Sequence, residues 1–104
     1  MSSVTIEQAH KDREAARARI RAGLRVGSIW GSPRARYHAI VLADVEEPGR
    51  FRMTTFDGQG FSGHTSRDTL AEIGEVLLME FGASIVQREA GLLDEMARGF
   101  EVGP

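Results

Sequence analysis

The chain has 104 residues, 41% hydrophobic and 27% charged, with a net charge of −2 and no cysteine. That length suits one domain spanning residues 1–104, able to bury roughly 65% of its unfolded surface around one core. The lack of cysteine excludes disulfides, thiolate catalysis and cysteine-ligated metals, and fits a reducing cytoplasm. The start, MSSVTIEQAHKDRE, lacks the apolar run of a signal peptide, and no stretch approaches the ~20 apolar residues of a membrane span.

The charge is divided unevenly. Residues 1–36 hold eight basic and three acidic residues, a net of +5; the remainder holds five arginines against twelve acids, a net of −7. A basic first third on an acidic body is the main electrostatic feature.

Residues 5–24 read as a helix, with Thr5 and Gln8 spaced as a capping box. Ile6, Ala9, Ala16, Ile20 and Leu24 fall on one narrow stripe, with Arg13 in its middle. Either the first turns stand off the body, or Arg13 reaches an acidic partner over its apolar stem. Residues 26–30 read as a short strand or an irregular arm before the Gly31-Ser32-Pro33 break. Residues 35–45 form the clearest strand; its middle is apolar on both faces, as in a central strand covered on two sides. Pro48-Gly49 turns the chain, residues 50–56 return as a strand, and Asp57-Gly58 marks a hairpin with positive φ at both central residues. Phe61 to His64 makes a short third strand.

A helix over residues 67–81, capped by Thr65 or Ser66, carries Leu70, Ile73, Val76, Leu77, Leu78, Met79 and Phe81. Gly82 ends it, residues 83–88 read as a strand, and residues 92–98 as a last short helix bearing Leu92, Leu93 and Met96. The expected class is α+β: a small two-layer domain with an antiparallel sheet of three to four strands, helices on one face and order α-β-β-β-α-β-α. The strand-turn-helix stretch 50–82 serves as the folding centre.

Enzymatic constellations are lacking. His10, His38 and His64 are 28 and 26 residues apart, without metal-ligand spacing, so no metal or cofactor is expected; the one convergence left open is of Asp57 with His64 across the hairpin. Ser62 and His64 lack a nucleophile elbow, and the acid pairs Glu46-Glu47 and Asp94-Glu95 read as solvated surface. Gly58, Gly60 and Gly63 have no following lysine to hold a phosphate.

Two binding surfaces stand out. Asp68, Glu72, Glu75 and Glu80 give the second helix an acidic face, suited to a protein partner with a basic, nucleic-acid-binding groove. Arg13, Arg17, Arg21 and Arg25 give the first helix a phosphate-neutralising alternative. Surplus apolar surface on the second helix, or an edge strand, allows a two-fold homodimer.

The order α-β-β-β-α resembles that of double-stranded RNA-binding domains, which contact phosphates with a lysine-rich start to the second helix. Here residues 66–72 hold one base and two acids, so the resemblance stops at element order. In size and lack of motifs the chain is similar to small phage- and plasmid-borne inhibitors, anti-CRISPR proteins among them. The functional expectation is a non-catalytic regulatory protein of this mobile-element type, acting on a larger assembly.

Overall fold

The computed structural model describes residues 3–88. Their elements run α1 (Ser3–Gly23), β1 (Ile29–Gly31), β2 (His38–Ala43), β3 (Phe51–Asp57), β4 (Gly60–Arg67), α2 (Leu70–Phe81), a single 3-10 turn (Gly82–Ser84) and β5 (Val86–Arg88). The strands make one antiparallel sheet in the order β4-β3-β2-β1-β5. The α+β class with an antiparallel sheet holds, but the strand count is five where three to four were expected. The added strand is β1, Ile29–Gly31, which overlaps the end of the 26–30 stretch and pairs between β2 and β5. The final helix expected over residues 92–98, and the acids Asp94 and Glu95, lie outside the described residues.

Strand alternation and register sort the side chains onto two faces. Trp30, Ala39, Val41 and Met53 point to the helical layer, where they cluster with Ala16 and Ile20 of α1, Ile73, Leu77, Leu78 and Phe81 of α2, and Ile85. Ile29, Ile40 and Phe56 form a second buried cluster on the opposite face. β2 contributes to both clusters, as its doubly apolar sequence predicts.

Trp30 is fully buried and carries a polar N–H into the core. That indole N–H donates to Ser28 Oγ at 2.9 Å, and the Ser28 hydroxyl donates to the Arg25 carbonyl at 2.6 Å. The relay satisfies the indole donor and pins the loop between α1 and β1.

Local signals place several boundaries differently from expectation. α2 starts at Leu70, not Arg67: Thr69 is its N-cap, accepting from the Glu72 amide at 3.1 Å while its hydroxyl donates to Glu72 Oε1 at 3.0 Å. The first bond is one arm of a capping box, and the second joins the two side chains in place of the other arm. Thr65 and Ser66 belong instead to β4, which runs eight residues. α1 starts at Ser3, so Thr5 lies within it. The β3-β4 hairpin turns over Gly58 and Gln59, and its positive φ (127°) falls on Gly60, with none at Asp57 or Gly58.

The two helices approach closely at Gly74. A Cβ there would sit 3.1 Å from Ile20 Cγ2 and 3.2 Å from Leu24 Cδ2. A bulky residue must push α1 off α2, and overpacking of this kind costs about 1 to 3 kcal/mol. Gly74→Leu is therefore expected to lower the thermal midpoint clearly, while Gly63→Ala, which meets nothing closer than 3.7 Å, leaves it near wild type by comparison. Circular-dichroism melts of the two variants check this.

Candidate functional site

α2 buries Ile73, Gly74, Leu77, Leu78 and Phe81 and turns its other side outward. At 100° per residue, Glu72, Glu75, Val76, Met79 and Glu80 share that outer side. Met79 is 80% exposed at its centre, Val76 is half-buried, and the three glutamates are exposed around them. The acidic residues are partly engaged within the chain. Glu75 accepts from Arg17 at 3.3 Å, and Asp68 lies 3.0 Å from the Arg50 guanidinium. Glu72 takes part in the helix cap, and Glu80 lies near enough to the Tyr37 hydroxyl to raise its pKa. Asp68 precedes the helix and belongs with Arg50 at the strand ends, so Glu72, Glu75 and Glu80 make the continuous part of the face. Solvent screens these exposed ion pairs, so they hold the acidic side chains only weakly.

The four arginines of the first helix and its loop divide. Arg17 bridges Glu14 at 2.8 Å and Glu75 at 3.3 Å, tying α1 to α2. Arg13, Arg21 and Arg25 are exposed. Arg19, outside the predicted set, donates to the Ala83 carbonyl at 2.8 Å and the Ile85 carbonyl at 3.1 Å, anchoring the chain after α2. α1 packs on the body only through its second half: residues 6–15 are all exposed, and burial begins at Ala16. Its first turns therefore stand off the described body, which resolves the placement of Arg13.

A cleft of about 720 Å³ opens beside the end of α2, lined by Asp12 and Arg19 of α1, Ser32, Arg34 and Tyr37 of the β1-β2 connection, and Phe81 among others. Tyr37 rests its ring on Phe81, with centroids 5.4 Å apart. Burial, then the Glu80 carboxylate, raises its pKa. Ser32 and Ser84 share a hydroxyl hydrogen bond of 2.8 Å. Among the described residues, the cleft holds no nucleophile poised beside a base.

The three histidines lie apart. His10 is on exposed α1 and His64 is exposed on β4. His38 stacks against Phe56 at 5.6 Å, with its pKa lowered by burial and by Arg88. Ser62 bonds Thr55 Oγ1 at 2.9 Å. Asp57 and His64 do not converge: Asp57 accepts from the Gln59 amide and pairs with Gly60, whereas His64 pairs with Thr54. Among the described residues, no group of three or more His, Asp or Glu side chains is arranged to hold a metal. No described helix is long and apolar enough to cross a membrane. No family model matches the chain, and neither the curated proteins nor the solved structures show a relative of it.

Sequence reasoning missed Asp44, whose side chain is only 3% exposed. Its carboxylate accepts from the Glu46 and Glu47 amides at 2.9 and 3.3 Å, from Ser66 Oγ at 3.1 Å, and from Arg52 at 3.3 Å. The Glu46 amide contributes most to lowering its pKa; the other partners add to this, and burial opposes it. A carboxyl depressed in the folded state stabilises fully above its unfolded value of ~3.9 and loses that contribution as pH falls through the lower folded value. Melting Asp44→Asn beside wild type should give a constant deficit from neutral pH down to ~5, narrowing below ~4. A deficit independent of pH throughout the acid range counts against the carboxylate's role.

Proposed function

We propose that the chain is a small non-catalytic regulatory protein that binds a larger protein assembly through the outer side of α2. The observation that carries this is the exposed Met79, ringed by Glu72, Glu75 and Glu80 beside Val76. An apolar centre inside a charged rim is the anatomy of a protein interface. Methionine suits it because its unbranched, polarizable side chain adapts to varied surfaces. The acidic rim selects a basic surface and speeds encounter with it. A basic surface of that kind on a nucleic-acid-processing complex makes the chain an inhibitor of the phage- or plasmid-borne type.

A second reading rests on Arg13, Arg21 and Arg25, which are exposed and carry no ion pair among the described residues. In that reading α1 neutralises phosphates, and affinity falls steeply with salt.

Met79→Arg places a cation at the centre of the acidic face. Because Met79 is exposed, stability should stay within about 0.5 kcal/mol of wild type. Wild type, Met79→Arg and Arg21→Glu are compared as baits, and each is titrated with fluorescent DNA and RNA at ~50 and ~200 mM salt. The proposal expects a basic protein retained by wild type and Arg21→Glu and lost by Met79→Arg. Identical captures by all three baits would remove the α2 reading. Salt-sensitive nucleic-acid binding lost only in Arg21→Glu would install the second.

A further inference from the structure

At one edge of the sheet β4 runs eight residues, Gly60–Arg67, as the outermost strand of the order among the described residues. An edge strand presents a row of unpaired N–H and C=O groups, which proteins usually guard with lysine, proline, bulges or a covering element. β4 contains no lysine, proline or acid, its one arginine is the terminal Arg67, and residues 61–64 are all exposed. The irregularity in its pairing falls between Thr55 and Phe56 of β3, which leaves Gly63–Arg67 as a regular five-residue run.

We infer that a second copy of this chain pairs with that run, antiparallel about a two-fold axis through Thr65. The midpoint of Gly63–Arg67 is Thr65, so this register uses the whole regular segment. It sets Thr65 against Thr65 of the second copy, a favourable cross-strand pair. His64 falls opposite Ser66, both on the sheet face away from the helices, where the hydroxyl accepts from the imidazole. Arg67 falls opposite Gly63, where a Cβ would meet nothing closer than 3.7 Å, so its stem has room. No like charges meet. A register centred one residue earlier would oppose two imidazoles and leave Arg67 unpaired. The result is a continuous ten-stranded sheet with both helical layers on one face. Pairing through about 17 Å of strand gives a small interface, so dimers form in a concentration-dependent way. This surface shares no residue with the outer side of α2.

The chain has no cysteine, so single cysteines report the register directly. A residue on the two-fold axis sits opposite its own copy, with Cβ atoms about 4.5 to 5.5 Å apart, near enough for a disulfide after slight adjustment. Under mild oxidation Thr65→Cys is expected to form a covalent dimer. Ser62→Cys, three residues off the axis on the same exposed strand, stays monomeric. Mixing His64→Cys with Ser66→Cys gives the mixed disulfide in preference to either homodimer, an independent reading should Thr65→Cys fold poorly. Wild-type light scattering should show mass rising from monomer toward dimer with concentration. A wild type that stays monomeric at the concentrations of an NMR sample overturns the inference. So does cross-linking that favours His64→Cys alone or is equal at every position.

Discussion

Burying Trp30 is the constraint on which the rest of the architecture depends. An indole removed from water stabilises a fold strongly, but only if its N–H finds an acceptor. Ser28 supplies that acceptor two residues earlier, and Arg25 in turn accepts from Ser28. The relay forces the chain leaving α1 to turn sharply and enter the sheet as β1. Trp30 then lies between Ala39 and Gln87 of the neighbouring strands, beneath the helical layer. A strand of three residues would be marginal by itself; it is held because both of its edges are paired and all three of its residues are buried.

The helical layer closes over that residue. Gly74 lets α1 and α2 approach until Ile20 and Leu24 touch the α2 backbone region, and Arg17 spans the pair to Glu75. Arg19 secures the far end by donating to two carbonyls beyond α2. The basic first helix and the acidic second helix are thus partly matched within the chain. What the matching leaves over is informative. The outer side of α2 keeps an exposed Met79 inside its acidic rim, and Arg13, Arg21 and Arg25 stay exposed, with Arg21 lining the groove between the helices together with Glu75.

Asp44 serves a comparable purpose at the sheet's other end. It gathers the two amides of the β2-β3 turn, the Ser66 hydroxyl and Arg52 around one buried carboxylate. This ties three successive strands together, including β4, whose outer edge is unpaired among the described residues. An edge tied down in this way is a better template for strand pairing than a fraying one, because less ordering entropy is lost when it pairs.

Much of the local structure could be read from residue order alone, because its causes are local. The apolar periodicity of residues 70–81, the doubly apolar middle of β2, the Pro48-Gly49 turn and the stop at Gly82 each act within a few residues. The start of α2 was also legible: Thr69 and Glu72 have capping-box spacing, but Thr65 and Asp68 offer a rival one, and only strand pairing decided that Thr65 and Ser66 belong to β4. β1 was ambiguous because three residues show no periodicity, and their conformation comes from partners ten and nearly sixty residues away. The acidic residues of α2 were visible as a group, yet Met79 looked like one more core residue, since helical spacing does not say which of several apolar flanks a sheet will cover. The residue order thus determined the composition of the faces and the local stops and starts. Tertiary structure decided which face is buried, which charges are matched and which strand ends at an open edge, because burial and pairing depend on neighbours that only folding brings together.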